Sequence, residues 1–291
     1  MRRCFPIAAS VTAAAAAALL VSPLLATPKP VPARTVAADA APSPDRWAAP
    51  GPHGVTVTKE RVTTFYFPSD IGSSARRFPV VIWGNGTGAV PSNYHGLLRL
   101  WASHGFIVAA ANTRYANSGN QMRAGLDRLA ALDRTDGSPF EGRVDLARVG
   151  AAGHSQGGAG AINASADQRV DTTVPIQPGP LASASSLHGP ALYLAGEKDT
   201  IVAPARVRTF YNASGHVPAI YTELAAATHF TPAGNGGGFR GITTAWWRFH
   251  LAGDEQARGV FFGDGCGICS GSPWLHAARN SKALQIPGPN A

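Results

Sequence analysis

Val149-Gly150-Ala151-Ala152-Gly153-His154-Ser155-Gln156-Gly157-Gly158 passes without a break from a small apolar run into a small-residue stretch of helical character. Its centre, Gly153-His154-Ser155-Gln156-Gly157, is a G-x-S-x-G sequence, the pattern of a serine held on a tight turn between a strand and a helix. The turn strains the backbone at the serine, and glycines on either side remove the side chains that would collide with the adjoining strand and helix. The first turn of the helix also favours negative charge beside the serine. The bare pattern is common by chance and also fits a Gly-rich turn without chemistry. The strand before it and the helix after it single out Ser155 as a nucleophile candidate.

Outward from this turn, short unbroken apolar runs alternate with helical patterns. The runs are Pro79 to Trp83, Phe106 to Ala110, Val149 to Ala152, Thr173 to Ile176, Ala191 to Ala195 and Pro218 to Tyr221. Between them, helical spacing covers Tyr94 to His104, Gln121 to Leu132, Gly158 to Ala166, Pro204 to Ala213 and Gly241 to Leu251. Strands without polar alternation are those covered by helices on both faces, so the pattern predicts an α/β fold, a doubly wound, mostly parallel sheet. Ahead of it, Val55 to Val57 and Arg61 to Phe67 alternate in the manner of antiparallel opening strands. No internal repeat is present.

The chain has 291 residues and 45% hydrophobic content, enough for one catalytic domain, expected over 55–291. Residues 1–40 read as an export signal and lead-in: basic residues at Arg2 and Arg3, an apolar Ala-rich run from Ile7 to Ala26, then Pro and Ala. Cleavage is placed between 26 and 40, and residues 41–54 are expected to be a linker. A retained membrane anchor is disfavoured by the weak apolarity of Ala and by Pro23, so a secreted protein without stable membrane insertion is expected. Four cations and one Asp lie in the leader, leaving about +5 of the net +8, spread without Lys/Arg blocks. That distribution argues against nucleic-acid binding. Past the leader, the cysteines are Cys266 and Cys269, which in an exported protein most simply form one disulfide. The surrounding Gly263, Gly265, Gly267 and Gly271 suit a loop staple better than a redox-active pair, and the segment offers too few further ligands for zinc.

A serine hydroxyl needs a base, and the base needs an orienting carboxylate. In chain order the acid follows the serine and the histidine follows the acid. Asp199 lies in the polar turn Gly196-Glu197-Lys198-Asp199-Thr200 after an apolar strand, with Glu197 as the alternative acid. Glu223 and Asp171 are less well placed and are expected to be solvated. His229 follows the Pro218 strand, whereas His216 precedes it, His250 falls within a helix and His154 adjoins the serine too closely to serve as base. Two backbone N–H donors for a developing oxyanion are expected from Gln156 and from Gly86 in the loop Gly84-Asn85-Gly86-Thr87-Gly88. That loop lacks the lysine and spacing of a P-loop.

The segments Arg99-Leu100-Trp101-Ala102-Ser103-His104-Gly105-Phe106-Ile107-Val108, Gly153-His154-Ser155-Gln156-Gly157-Gly158, Gly196-Glu197-Lys198-Asp199-Thr200-Ile201 and Thr228-His229-Phe230 together resemble the bacterial cutinase and polyester-hydrolase group of lipases, relatives of the dienelactone-hydrolase-like enzymes. The resemblance covers much of residues 60–250. It implies the α/β-hydrolase fold, a surface-open site with Ser155, Asp199 and His229 as nucleophile, acid and base, a loop donor at Gly86, and ester cleavage without metal or cofactor. Members that grip aromatic polyesters carry aromatic side chains at the loop donor and after the strand following the elbow. Here those places read Gly86 and Ile176-Gln177-Pro178-Gly179, so no stacking clamp is expected. The family's disulfide also spans a wider separation than Cys266 to Cys269.

The expectation is therefore an exported, monomeric serine hydrolase acting on carboxylic esters such as lipid, cutin-like or polyester substrates. Two alternatives remain open: an amidase or peptidase with the same triad, and a non-catalytic binding protein on this scaffold.

Overall fold

The computed structural model describes residues 42–271 and 273–289; the leader expected over 1–40 lies outside them. Its strands are β1 (Val55–Lys59), β2 (Thr63–Pro68), β3 (Phe78–Gly84), β4 (Ile107–Ala111), β5 (Val144–His154), β6 (Thr172–Ile176), β7 (Ala191–Gly196), β8 (Ala219–Leu224) and β9 (Trp274–Arg279). Its helices are α1 (His95–Ser103), α2 (Asn120–Leu132), α3 (Gln156–Ala164), α4 (Pro204–Asn212), α5 (Phe239–His250), α6 (Glu255–Phe261) and α7 (Ser281–Leu284).

The strands form one sheet in the order β1-β2-β4-β3-β5-β6-β7-β8-β9. The six strands from β4 to β8 along this order run parallel, β1 and β2 open it antiparallel, and β9 closes it antiparallel. Successive residues of the central strands point into opposite layers. Val81 and Trp83 pack with Trp101 of α1 and Trp247 of α5. Val80 and Ile82 pack with Leu126 and Leu129 of α2 and with Ala161 of α3. Farther along the sheet, Tyr193 and Tyr221 meet Val207 and Phe210 of α4. Both faces are therefore covered, which is why the strands lack polar alternation. This is the α/β-hydrolase fold, and it brings the loops after β3, β5, β7 and β8 to the carboxyl end of the sheet, where such folds bind ligands.

Three features depart from the sequence expectation. The segment expected as a linker, 41–54, packs in its described part: Pro44–Trp47 forms a 3-10 turn and Trp47 is buried in the same layer as Trp101 and Trp247. The backbone of this turn lies so close to α5 that a Cβ at Gly241 would sit 2.5 Å from the Pro44 carbonyl oxygen. Gly51 N–H and His53 N–H donate to the Oγ and carbonyl of Ser103, at 2.8 and 3.1 Å, which ties the segment to the end of α1. Second, β9 extends the sheet beyond the expected strands, and its irregular register opposite Tyr221 to Glu223, with His276 at φ 51, breaks the alternation that would have announced it. Third, Glu223 is buried instead of solvated, because the Tyr221 hydroxyl donates to it at 2.6 Å. Asp171 does stay at the surface, where its carboxylate accepts Val149 N–H at 2.8 Å.

Burying an indole removes a large apolar area from water, so Trp47→Ala is expected to cost about 3–5 kcal/mol of unfolding free energy. Chemical denaturation measures it, and a loss below about 0.5 kcal/mol, typical of a surface change, would show that the segment is a linker after all. A second expectation concerns His250, whose ring lies tilted against Trp246 at 4.1 Å and edge-on to Phe249 at 4.5 Å, with no partner at Nε2 among the described residues. Burial, assisted by nearby Arg258, pushes it down to about 3. The unfolded chain takes up this proton near pH 6.5 and the folded chain does not. The histidine's contribution is therefore complete above that pH and is lost as pH falls toward the folded value. His250→Leu should flatten the dependence of unfolding free energy on pH between 6.5 and 5 by up to about 1.4 kcal/mol per pH unit, the equivalent of one proton. Urea midpoints across that range test it; equal slopes in variant and parent would contradict it.

Candidate active site

Ser155 follows β5 directly and begins α3 at φ 56, ψ −124, a conformation that L-residues avoid. The glycines around it explain how the strain is held. A Cβ at Gly153 would lie 2.1 Å from the Gly157 carbonyl oxygen, and a Cβ at Gly157 would lie 2.1 Å from that of Gly84. Three backbones thus touch where β3, β5 and α3 converge. Helix α3 starts at Gln156, two residues earlier than its sequence pattern suggests, so its first N–H groups lie beside the serine.

Asp199 lies in the loop after β7 and is buried, with one carboxylate oxygen accepting the N–H groups of Ile201 and Val202, both at 2.8 Å. Its other oxygen is 2.7 Å from His229 Nδ1. A carboxylate oxygen accepts, so in this contact His229 donates from Nδ1 and turns Nε2 toward the serine. That nitrogen lies 2.9 Å from Ser155 Oγ. The loops bearing Asp199 and His229 are joined directly, because Lys198 N–H donates to the Ala227 carbonyl at 2.8 Å. Gln177, buried at φ 47, donates through Nε2 to the Thr228 carbonyl at 3.0 Å and so holds the residue before His229. Glu197, the alternative acid, turns away: it accepts Ala226 N–H at 2.8 Å and pairs with Lys198 at 2.7 Å.

His154 is buried beside His229, with ring centroids 4.7 Å apart. Burial, and secondarily the neighbouring His229, pushes it down to about 3, so it is neutral. Its Nδ1 lies 2.8 Å from the Tyr94 hydroxyl, which in turn accepts Gly86 N–H at 3.1 Å. This corrects the expectation for the loop donor: the Gly86 N–H is committed to Tyr94. Neither Thr87 N–H nor Gln156 N–H has a hydrogen-bond partner among the described residues. Tyr94 carried no sequence signal for this role, since it lies eight positions beyond Gly86, across loop and turn.

Gly86, Thr87, Ser155, Ile201, His229 and Phe230 line a cleft of about 510 Å³. Phe230 is 69% exposed and Ile201 60% exposed, so the apolar wall stands on the side of the base. Gly179 approaches the backbone of Ser155 and Gln156 with no side chain, and Ala89, Asn93, Tyr94 and Ala233 also line the cleft. The exposed ring of Phe230 gives the cleft an aromatic surface that nothing in its sequence context marked. Away from the cleft, Cys266 and Cys269 form a disulfide across a 3-10 turn whose Ile268 is buried in the core. Among the described residues no three His, Cys, Asp or Glu side chains group as metal ligands, and no helix is long and apolar enough to cross a membrane.

Comparison with known proteins agrees with this architecture. The chain is 33% identical over 174 residues to a bis(hydroxyethyl) terephthalate hydrolase of Streptomyces coelicolor, covering 58% of this chain and 55% of that protein. It is 34% identical over 142 residues to cutinase 2 of Thermobifida cellulosilytica and to cutinase cut1 of Thermobifida fusca, covering 45% of this chain and 52% and 43% of those proteins. The chain thus spans about half the length of the curated relatives it matches. The family model described as PET hydrolase-like (PETase) matches residues 42–264, from the packed turn before β1 to the loop after α6, and the chain belongs to that family.

Proposed function

We propose that the protein is an exported serine hydrolase that cleaves carboxylic esters through an acyl-enzyme on Ser155. The observation that carries this reading is the continuous contact from Asp199 to His229 Nδ1, at 2.7 Å, and from His229 Nε2 to Ser155 Oγ, at 2.9 Å. The related proteins' names, cutinase and bis(hydroxyethyl) terephthalate hydrolase, support ester chemistry. The basic start and apolar run of residues 1–26 support export.

In the proposed reaction Ser155 Oγ attacks the ester carbonyl carbon while its proton passes to His229 Nε2. The resulting imidazolium sits against the Asp199 carboxylate. The carbonyl oxygen becomes an oxyanion held by Thr87 N–H and Gln156 N–H, with the start of α3 adding a favourable dipole. Collapse breaks the carbon–oxygen bond, and the His229 proton leaves with the alcohol. A water then repeats the sequence on the acyl-serine: its proton goes to His229, its oxygen to the carbonyl carbon, and Ser155 recovers its hydrogen as the acid departs. The open cleft, with Ile201 and Phe230 exposed in its lining, suits short or medium acyl esters, with polyester chains reached at exposed ends or loops.

Ser155→Ala and His229→Ala should each lower kcat by about three orders of magnitude or more, and the double variant should lose little beyond either, because the pair acts as a unit. Turnover of a chain-length series of p-nitrophenyl esters, of bis(hydroxyethyl) terephthalate and of an insoluble polyester, run beside the Ser155→Ala variant, measures this and the substrate range together. Labelling by an organophosphate is expected at Ser155; folded protein that takes up no label there and hydrolyses none of these esters would refute the reading.

A further inference from the structure

The residues on either side of Ser155 each reach the loop after β3 through one intermediary. On one side, His154 Nδ1 meets the Tyr94 hydroxyl at 2.8 Å, and that hydroxyl accepts Gly86 N–H at 3.1 Å. On the other, Gln156 Nε2 donates to the Arg114 carbonyl at 2.6 Å, the same carbonyl accepts Gly88 N–H at 3.1 Å, and the Arg114 guanidinium donates to the Gly88 carbonyl. The two tethers grip residues 86 and 88 and leave Thr87 between them. The base of the loop is fixed separately, since Asn85 accepts Trp83 Nε1–H at 3.0 Å and donates to the carbonyls of Ala111 and Thr113 at 2.6 and 3.0 Å. Arg114 forms no ion pair among the described residues, so the guanidinium's partner is the loop.

We infer that Tyr94 and Arg114 are positioning residues that set the separation and aim of the Thr87 and Gln156 N–H groups, coupling the oxyanion-binding loop to the elbow through the two neighbours of the nucleophile. This rests on the esterase reading above. Two donors aimed at one point act on the charged intermediate only if their separation is held, because a loop free to drift by a fraction of an ångström loses the geometry in which both reach the same oxygen. Glycines at 86 and 88 supply no side chains to fix the loop, and Gly88 adopts φ 75. External tethers therefore replace internal packing. Neither residue touches the reacting atoms, and both act through backbone groups they hold.

The test uses Tyr94→Phe, which keeps the ring packed on Trp83 and deletes the hydroxyl, and Arg114→Met, which changes an exposed side chain and deletes the guanidinium. With p-nitrophenyl butyrate, each variant should show kcat lowered about tenfold with KM within about twofold, since the lost interaction serves the transition state and not the bound ester. Inhibition by phenylboronic acid, whose tetrahedral serine adduct places an oxygen in the oxyanion position, should weaken by the same factor as kcat falls. Arg114→Lys, which retains a donor, should recover part of both losses. Melting temperature separates a positioning effect from general loosening: the kinetic and inhibitor losses are expected without a matching shift in melting. If the parent is labelled at Ser155 and hydrolyses the ester while the variants match it in kcat and boronate inhibition, the tethers do not position the donors and the inference fails alone. Lowered kcat with unchanged boronate inhibition would overturn it equally. A parent that neither labels nor turns over ester overturns the functional reading, and this inference with it. Should Tyr94→Phe not fold, Arg114→Met and Arg114→Lys decide the question.

Discussion

Everything at the carboxyl end of the sheet depends on three backbones being allowed to touch. Gly84 at the end of β3, Gly153 at the end of β5 and Gly157 in the first turn of α3 approach so closely that a methyl group at either of the last two would lie 2.1 Å from a carbonyl oxygen. That contact forces the chain to reverse within one residue, which puts Ser155 at φ 56 and lifts its side chain clear of strand and helix. Holding a residue in such a region costs on the order of 1–3 kcal/mol and persists only where the surroundings over-determine it. Here the surroundings are a nine-stranded sheet with filled layers on both faces, so the strain is borne by the whole fold.

The same rigidity makes a buried charge tolerable. Asp199 is removed from water, a costly step for a carboxylate unless hydrogen bonds replace hydration. Two backbone N–H groups and the His229 ring supply three. Those bonds also fix the orientation of the ring, so one set of contacts both stabilises the Asp199 carboxylate and aims the His229 imidazole. His154 completes the electrostatics by remaining uncharged: a second imidazolium 4.7 Å from His229 would oppose the charge that the proposed reaction develops there, and burial prevents it.

Much of this was readable from residue order because the controlling features are local. A G-x-S-x-G turn is defined within five residues, and the chain order of Ser155, Asp199 and His229 follows from the order of parallel strands whose loops share one end of the sheet. The features that escaped depend on contacts between distant segments or on exceptions to periodicity. Trp47 looks like part of a Pro-rich approach until α5 is seen to offer it a place. Trp274 to Arg279 carries a bulge and a left-handed His276, which erase the alternation of an edge strand. Glu223 reads as solvated because nothing in the chain announces that Tyr221, two residues away on the same face, turns its hydroxyl toward it. The commitment of the Gly86 N–H was hidden for the same reason: Gly86 is suited to close backbone approach, but the hydroxyl that occupies its N–H comes from Tyr94, in the turn that leads into α1.

The form of the cleft bears on where catalytic power would come from. A deep pocket can spend contacts with remote parts of a substrate on positioning its reactive carbonyl. This cleft has exposed apolar side chains at Ile201 and Phe230, beside His229, and the rest of its lining is mostly small residues and loop backbone, including Gly86, Thr87, Gly88 and Ala89. With few side chains reaching into it, such a cleft would draw little orienting force from the substrate of the proposed reaction. The burden then falls on groups that are already in place before binding: an imidazole locked by Asp199, a serine locked by glycine contacts, and two N–H groups whose loop is fastened to both neighbours of that serine. In the proposed reaction an open site of this kind would accept varied acyl and alcohol portions because it asks little of them, and it could do so only because the protein itself carries nearly all of the required order.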